Sequence, residues 1–518
     1  MKPNRYKPQN AALLLAIAAG CCLALAAPPV NATPCAWFFG PLIAAGLHHS
    51  CLHTTTTRAA EINALWIGWV AGCTANAIAL CWTVELFCNF ASMPIWAALL
   101  TSLLLYVAQG LPFAAAAFST VFLGRITVPI HLALPVSVTL AFSIIPAIFP
   151  WRPAVSALGF TTWVQMADLG GEALIDFMLV LVGSLILEAY RRKRRGLPYL
   201  RPLMVASICF ALPAVYGVYR IEGIEEARRD ARKIQVGIVQ PNIGIDEKRE
   251  THLHYAQLRR LQEMSVSLES RGAELIVWPE TAYPFDFPRE RKRDVEGARS
   301  IRVPQMQAPL IVGAITEQSH CVRYNSALTL DRFGAVLQVV DKVELLAFGE
   351  YVPLWDYLPG IERILDCPGL KAGDQLTPVH LLGVSIGILN CYEDFVPGPF
   401  HKLLEASPEL FINLTNDAWF GDTNEPWLHH HVARYRAIEG RRDLVRVVNS
   451  GVSGHISATG NTLFTTKTFE RDARIAEAAI LEIFSPFASL GEWLTAAIAF
   501  VMMAHWIRFR WLSRASVV

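Results

Sequence analysis

The chain has 518 residues, enough for two to four domains of about 150 residues each. Hydrophobic residues make up 53% of it and charged residues 17%, against roughly 25% charged residues in an ordinary soluble domain. This composition excludes a disordered chain and argues against a wholly soluble enzyme. The formal net charge of +1 gives no reason to expect a nucleic-acid partner. Charge is also unevenly distributed, because residues 8–190 contain only nine charged side chains.

Eight apolar stretches predict helices that cross a membrane, because about 20 apolar residues span a bilayer. Buried helices of a large soluble protein are the alternative, and the near absence of charge in these stretches argues against it. Gly110-Leu111-Pro112 predicts a break inside the longest stretch. The stretches are 11–28, 34–48, 61–86, 92–122, 126–149, 172–190, 199–219 and 487–507.

The basic residues predict the orientation of these spans. Positive charges mark the cytoplasmic ends of membrane helices. We therefore expect a multi-pass protein of the bacterial cytoplasmic (inner) membrane, with residues 221–486 on the periplasmic or outer side. Ala24-Leu25-Ala26 also fits a signal-peptidase site, and cleavage there leaves this orientation unchanged. The basic groups are Lys2, Arg5 and Lys7 before the first span, residues 191–195 after the sixth, and Arg508, Arg510 and Arg514 after the eighth.

Short strands and helices alternate in the long segment between the seventh and eighth stretches. The pattern predicts an α/β or layered α–β domain with a sheet buried on at least one face. Helices are predicted over 251–271 and 427–439. Strands are predicted over 234–239, 275–278, 310–312, 327–330, 336–340, 384–389, 411–414 and 444–448.

Three of the predicted strands are followed by reactive side chains, namely Glu280, Lys342 and Cys391. A carboxylate can remove the thiol proton, the thiolate can attack a carbonyl, and an ammonium can stabilise the oxyanion that forms. The backbone N–H of Tyr392 is a natural second donor to that oxyanion. Each residue alone has an ordinary explanation, a packed cysteine or a surface charge, so the combination carries the prediction.

Several motifs together resemble the nitrilase superfamily and, within it, the apolipoprotein N-acyltransferases. The resemblance covers nearly the whole chain, and the motifs of the α/β segment appear in the family's order. In that segment they are Trp278–Ala282, Phe348–Pro353, Cys391–Glu393 and Asn416–Asp422, and in the membrane part they are Phe149–Trp151 and Gln165–Gly171.

This resemblance implies a fold and a domain organisation. The fold is a polytopic α-helical membrane domain with about eight spans plus an α/β nitrilase-like αββα sandwich. The expected domains are a seven-span membrane domain over 1–220, an extracytoplasmic catalytic domain over 225–480 and a C-terminal transmembrane helix over 487–507.

The resemblance also implies a reaction, in which an acyl chain moves from a phospholipid to a protein through a cysteine thioester. The expected donor is phosphatidylethanolamine, and the acceptor is the N-terminal amine of the diacylglyceryl-cysteine of an apolipoprotein. The enzyme is expected to be a monomer that needs no cofactor or metal. A membrane-tethered carbon–nitrogen hydrolase that releases the acyl group to water is the alternative, and a non-catalytic transporter or receptor is a third candidate.

The family's functional residues map onto eight positions of this sequence. The resemblance implies Glu280 as general base, Lys342 as oxyanion stabiliser and Cys391 as nucleophile. The other positions are the supporting residues Glu350, Tyr392 and Glu393 and the substrate-binding residues Trp419 and Asn416.

A few positions depart from the family's pattern or carry a second interpretation. Arg249 and Ala347 differ from the residues common in the family, which leaves acyl-donor preference and acceptor recognition open. Cys321 and Cys367 can pair or remain free. Metal binding by His429-His430-His431 is not expected, because consecutive helical residues point in different directions. Arg441-Arg442 is expected to be a solvated face.

Overall fold

The computed structural model describes residues 10–52, 56–353, 355 and 367–515. These residues form two compact units. The first contains the described residues up to Ile221 and those from Ser489 onward, and the second lies within Glu222–Ala488. The basic residues Lys2, Arg5 and Lys7, on which part of the orientation argument depends, lie outside the described ranges.

The first unit is helical. Its closest packing uses glycines, because a side chain at Gly68 would collide with the backbone oxygen of Phe113 and one at Gly20 with that of Ala71. Small residues of this kind let helices approach closely where lipid surrounds them. The helices that lie wholly or partly in this unit are α1 (Asn10–Leu25), α2 (Ala36–Leu52), α3 (Thr57–Ala79), α4 (Thr83–Asn89), α5 (Ile95–Gln109), α6 (Leu111–Arg125), α7 (Ile130–Ile144), α8 (Ala167–Arg194), α9 (Leu200–Asp230), α14 (Pro486–Leu490) and α15 (Trp493–Ala515).

Four helical segments among the described residues are long and apolar enough to cross a membrane: Thr57–Ala79, Ile95–Arg125, Trp163–Arg194 and Leu200–Asp230. Three shorter apolar helices cover Asn10–Leu25, Ile130–Ile144 and Trp493–Phe509. The predicted interruption near Gly110 is confirmed, since α5 ends at Gln109 and α6 begins at Leu111.

Buried charges in the helical unit are paired with one another. Arg152 Nε lies 2.7 Å from Asp176 Oδ2, and Arg220 Nε donates to Asp168 Oδ2 at 2.9 Å. Isolated charges are costly in lipid, so charges retained in a membrane unit are expected to find partners inside it.

The second unit contains two sheets. In the described residues one has the strand order β13-β1-β2-β4-β5-β6, with β3 also paired to β4, and the other has the order β12-β11-β10-β9-β8-β7. The strands are β1 (Lys233–Gln240), β2 (Leu275–Trp278), β3 (Phe287–Pro288), β4 (Leu310–Ser319), β5 (Val322–Leu330), β6 (Val336–Asp341), β7 (Val379–Leu381), β8 (Val384–Asn390), β9 (Leu410–Thr415), β10 (Leu444–Val448), β11 (Gly454–Ile456), β12 (Thr462–Thr465) and β13 (Asp472–Ala479). The helices of this unit are α10 (Ile245–Arg249), α11 (His254–Ser270), α12 (Pro397–Glu405) and α13 (Glu425–Gly440), together with the end of α9.

Successive side chains of a strand point to opposite faces of its sheet, and each face packs against a different layer of the domain. In β2, Leu275 and Val277 join a core that contains residues of both sheets, whereas Ile276 and Trp278 pack with residues of α11. Residues of α12 and α13 pack with the second sheet in the shared core. The order of layers is therefore helix, sheet, sheet, helix, which agrees with the implied αββα sandwich. Both sheets have parallel strands at their centre, β1-β2-β4 and β8-β9-β10, and such strands are continuous apolar runs because both faces are buried.

The predicted strands are all present, and several end within one residue of the predicted position. The strands β3, β7, β11, β12 and β13 were not predicted. The expectation of a solvated Arg441-Arg442 face is wrong: Arg441 is fully buried and Arg442 nearly so. Their guanidinium groups donate to backbone carbonyls, among them Ala458 O and Pro408 O, so the chain's own peptide groups replace water around these charges.

Candidate active site

The three reactive side chains identified in the sequence follow the ends of three strands. Glu280 comes after β2 and Pro279, Lys342 comes directly after β6, and Cys391 directly follows β8. The first two strands belong to one sheet and β8 to the other. The fold thus brings residues more than a hundred positions apart to one place, on loops held by rigid strands.

Lys342 lies between two carboxylates. Its Nζ is 3.0 Å from Glu280 Oε1 and 2.8 Å from Glu350 Oε2. Glu280 and Lys342 are only 5% and 2% exposed. Burial alone lowers the pKa of Lys342, but the two carboxylates outweigh it and raise the pKa well above its usual value, so the side chain is a permanent ammonium.

Asn325 completes this cluster. Its Nδ2 donates to Glu280 Oε1 at 2.7 Å and to Glu350 Oε1 at 2.9 Å. The sequence analysis missed Asn325. It stands among Arg323, Tyr324 and Ser326, before the predicted strand 327–330, so no local pattern distinguishes it from a surface residue.

Cys391 is half-buried beside these charges. Burial, followed by the negative charge of Glu280, raises the pKa of the Cys391 thiol well above its usual value, while Lys342 acts in the opposite direction. The thiol is therefore protonated at neutral pH, and a neighbouring base has to remove its proton before it can attack. The residue also has a φ of 49°, a left-handed backbone conformation that is uncommon for residues other than glycine and asparagine.

Glu393 ties the loop after Cys391 to the loop after Lys342. Its carboxylate accepts hydrogen bonds from Asn390 N at 2.7 Å and from Val343 N at 2.6 Å. Burial raises the pKa of Glu393 to about 7, against the effect of these donors. Its neighbour Tyr392 is half-buried and stacks on Phe395, with ring centroids 6.1 Å apart.

The two predicted substrate-binding residues, Asn416 and Trp419, differ in burial. Asn416 is buried, and its Oδ1 accepts hydrogen bonds from Asn449 Nδ2 at 3.0 Å and from Ala418 N at 3.4 Å. Trp419 is half-buried on the turn that Asn416 caps. Asn416 thus shapes the loop on which Trp419 lies.

Lys248 is a further residue that the sequence analysis did not select. Its Nζ donates to Thr281 Oγ1, directly beside Glu280. Burial lowers the pKa of Lys248 to about 8, and the charge of Glu280 acts in the opposite direction. No pattern in the sequence distinguishes this lysine from surface lysines.

A buried ionic network lies behind the cysteine loop. His429 donates to Asp394 Oδ1 at 2.8 Å and to Asp417 Oδ1 at 3.3 Å, and Arg446 Nη1 donates to Asp394 Oδ2 at 2.6 Å. Burial and Arg446 act to lower the pKa of His429, but the two aspartates raise it to about 10.

Asp417, Glu425 and His429 are the candidate metal ligands of this network, with ligand atoms within 4.8 Å of one another. Because both ring nitrogens of His429 already hydrogen-bond to Asp394 and Asp417, we interpret the group as a hydrogen-bonded ion network. His430 points elsewhere, with its Nε2 3.0 Å from Thr462 Oγ1, as expected for consecutive helical residues.

A disulfide joins Cys321 and Cys367, the pairing that the sequence left open. Cys391 is a free thiol, as is Cys209 of the helical unit. Near the disulfide, Lys371 N donates a hydrogen bond to Arg323 O of β5. The disulfide and this hydrogen bond both hold the segment that begins at residue 367 close to β5.

Comparison with known proteins gives matches over both units. Residues 235–479 match the carbon-nitrogen hydrolase family, and residues 19–185 match the apolipoprotein N-acyltransferase N-terminal domain. The apolipoprotein N-acyltransferase of Geobacter metallireducens is 27% identical over 95% of this chain and 94% of its own length. That of Allorhizobium ampelinum is 32% identical over 86% of each chain. Among solved structures, an amidase of the nitrilase superfamily from Nesterenkonia AN1 has a TM-score of 0.37 at 17% identity, over 51% of this chain and 96% of that one.

Two stacked sheets carry a cysteine, a lysine and a glutamate at their strand ends, in a chain rich in apolar helices. Together with the matched domains, these features define a membrane protein of the carbon–nitrogen hydrolase class. The matches to apolipoprotein N-acyltransferases extend over both units of the chain and identify one family within this class. The chain belongs to the apolipoprotein N-acyltransferase family.

Proposed function

We propose that this protein transfers a fatty acyl chain from a phospholipid, by way of a Cys391 thioester, to the α-amino group of an apolipoprotein's diacylglyceryl-cysteine. The observation that carries the proposal is the Lys342 ammonium held between Glu280 and Glu350 next to a free cysteine. Family membership supports the transfer reaction over hydrolysis. Phosphatidylethanolamine is the proposed donor.

In the acylation step, Glu280 takes the proton of Cys391 and the thiolate attacks an ester carbonyl of the phospholipid. The raised pKa of the thiol makes this base necessary. Lys342 stabilises the tetrahedral oxyanion, together with the backbone N–H of Tyr392. The intermediate collapses to a thioester, and the lysophospholipid oxygen leaves with the proton from Glu280.

In the transfer step, the neutral α-amine of the acceptor attacks the thioester carbonyl. A second oxyanion forms at the same position, so Lys342 serves both steps. Glu280 accepts a proton from the amine, the amide forms, and the proton returns to the Cys391 sulfur. Glu350 and Glu393 act as positioning residues, the first on Lys342 and the second between the two loops. Trp419 contacts substrate, with Asn416 holding its loop.

The same proposal places the protein in the bacterial inner membrane with eight spans. Residues 1–220 form seven of them, residues 225–480 form the periplasmic catalytic domain, and 487–507 form the last. The start of α1 and the ends of α2 and α8 border one cavity, which supports an even number of crossings between them. Both substrates carry acyl chains that leave lipid reluctantly, since each buried CH₂ contributes about 0.8 kcal/mol, so a membrane anchor suits this chemistry.

The acyl-enzyme provides the test. Purified full-length protein incubated with phosphatidylethanolamine should gain one acyl mass, and hydroxylamine should remove it. Cys391→Ala should gain none, whereas the matched control Cys209→Ala, which removes a free cysteine of the helical unit, should label normally. Labelling of Cys391→Ala would refute the assignment of the nucleophile.

A second stage separates transfer from hydrolysis. The acyl-enzyme is mixed with a diacylglyceryl-cysteine peptide whose N-terminal amine is free or acetylated. Transfer predicts an N-acylated peptide from the free amine and slow release of fatty acid with the acetylated one. Equal release of fatty acid with both peptides would favour the hydrolase.

A further inference from the structure

An open cavity of about 400 Å³ lies at one end of the helical unit, and none of its lining residues is assigned to the reaction. We call it the basic pocket. It forms between the start of α1, the end of α2 and the end of α8. Its volume is within the range of small-molecule sites. Five of its lining residues are basic or imidazole side chains: His48, His49, Arg191, Arg194 and Arg195.

The rest of the lining of the basic pocket is apolar or aromatic, and consists of Leu15, Ala45, Leu187 and Tyr190. On α2 and α8 these residues share a helix face with the basic ones and lie about one turn earlier in the chain. Tyr190 is 60% exposed, and Ile186, one turn earlier on the same face of α8, is 48% exposed. An apolar strip therefore continues from the pocket along α8, where an acyl chain can lie.

The positive charge in the basic pocket is incompletely neutralised. Arg191 Nη2 lies within 2.8–2.9 Å of the His48 ring nitrogens, a contact that leaves its charge in place. Glu188 is the nearest acid, 3.9 Å from Arg191 and 2.7 Å from Arg192. Within the described residues, the guanidinium groups of Arg194 and Arg195 have no acidic partner within ion-pair distance. The three arginines of the pocket therefore have one acid near them, Glu188, which also pairs with Arg192, and the pocket keeps a net positive charge.

We propose that the basic pocket binds one anionic phospholipid, with its phosphate on the arginines and an acyl chain along the apolar residues of α8. Guanidinium groups bind phosphate through paired hydrogen bonds, and basic pockets between membrane helices are suited to anionic headgroups. A soluble phosphate would leave the apolar lining residues and the strip along α8 unused. The occupied leaflet is the cytoplasmic one if the proposed orientation holds, but the binding itself does not depend on that orientation.

Native mass spectrometry of the full-length protein in detergent tests this site. The probe is phosphatidylglycerol with ether-linked chains, which cannot acylate Cys391, and phosphatidylcholine is the zwitterionic comparison. Wild type should retain phosphatidylglycerol in preference to phosphatidylcholine. The double variant Arg194→Gln with Arg195→Gln should bind it roughly thirtyfold more weakly, since each arginine contributes about a fivefold effect.

The matched control is Lys193→Gln. Lys193 belongs to the same basic run but packs over the Tyr199 ring, 5.5 Å from its centroid, and does not line the pocket. It should change the affinity less than about threefold. A loss equal to that of the double variant would overturn the proposal, because the effect would then belong to the basic run as a whole. Unchanged binding by the double variant would overturn it as well.

Soluble glycerophosphate distinguishes a lipid site from a phosphate site. It should fail to displace the lipid at equal concentration, and displacement would overturn the assignment to a phospholipid. Acyl-enzyme formation with an ester phospholipid reports whether the double variant is folded. If it is not, Arg194→Gln and Arg195→Gln are measured separately, and each should weaken binding about fivefold.

Discussion

The candidate active site contains one ammonium and two carboxylates, and the ammonium stabilises both carboxylates. Lys342 provides the positive charge for two carboxylates, and Asn325 donates to both of them. Removal of Lys342 would leave Glu280 and Glu350 as neighbouring anions, and their mutual repulsion would raise the pKa of one of them. The geometry around Cys391 and the electrostatics of the reaction are therefore coupled.

Substitution of Glu280 and Lys342 should separate their roles. Glu280→Gln keeps the shape but removes the base, so acylation should slow by on the order of 10²–10⁴-fold. Lys342→Met should raise the barrier of both acylation and transfer by about 3–4 kcal/mol, because each passes through an oxyanion. Single-turnover mass spectrometry measures each step.

Lys371→Met is the matched control for this experiment, since Lys371 is an exposed lysine of the same domain, and it should leave both rates unchanged. Transfer at the normal rate from a preformed Lys342→Met acyl-enzyme would contradict the oxyanion role. Lys342 would then act by orienting Glu280 or Cys391.

Among the elements, the junction of β10, β11 and β13 depends on one buried carboxylate. Asp443 directly precedes β10 and accepts hydrogen bonds from Arg228 at 2.7 Å and from His455 at 2.8 Å. It also accepts hydrogen bonds from the backbone N–H groups of Ala458 and Ala479. Burial alone raises the pKa of Asp443, but His455 and Arg228 outweigh it and lower the pKa to about 2.

The lowered pKa of Asp443 predicts an acid-sensitive contribution to stability. The native state binds this proton more weakly than the unfolded chain, whose pKa is near 3.8, so the stabilisation is fully present above pH 3.8. It amounts to about 2 kcal/mol and should be lost as pH falls from about 4 to about 2. Denaturant unfolding of the full-length protein in detergent, at several pH values, measures it.

Asp443→Asn should lower the free energy of unfolding at neutral pH by about 2 kcal/mol, because it removes the charge that pairs with Arg228, which keeps its second partner Glu225. The difference from wild type should shrink at low pH. Glu477→Gln removes one member of an exposed pair with Lys233, and should cost less than about 1 kcal/mol. A difference between Asp443→Asn and wild type that is constant with pH would contradict the role of the carboxylate charge.

For the whole molecule, the distribution of charge predicts which parts lie on each side of the membrane. The basic run 191–195 lies at the C-terminal end of α8, and the second unit begins within α9. With α9 as the next span, the positive-inside rule predicts that the run is cytoplasmic and that the α/β domain is outside.

Reporter fusions should reveal this orientation. An enzyme that is active only outside the cytoplasm should work when fused near residue 300 and be silent when fused near residue 195. A reporter that is active only in the cytoplasm should give the reverse pattern and serves as the control for expression. Activity of the first reporter at residue 195 but not at 300 would contradict the proposed span count and the location of the active site.

Local patterns in the sequence were sufficient for the apolar helices, the central strands and the strand ends that carry Glu280, Lys342 and Cys391. A central parallel strand such as β2 is apolar throughout because both of its faces are buried, so its own residues identify it. The strands that were missed have weaker patterns. For example, β13 contains four alanines and three charged residues, and it becomes a strand by pairing along its whole length with β1.

Burial of polar groups was decided only by the tertiary structure. Arg441 and Arg442 resemble a solvated pair in the sequence, yet both are buried because carbonyl groups from distant segments accept their hydrogen bonds. Asn325 likewise becomes part of the candidate site only because β5 brings it to Glu280 and Glu350. The sequence by itself determines where apolar surface must be covered, since hydrophobic burial depends on each residue's own side chain. Which charges and amides lie inside depends on partners that only the fold brings within hydrogen-bonding distance.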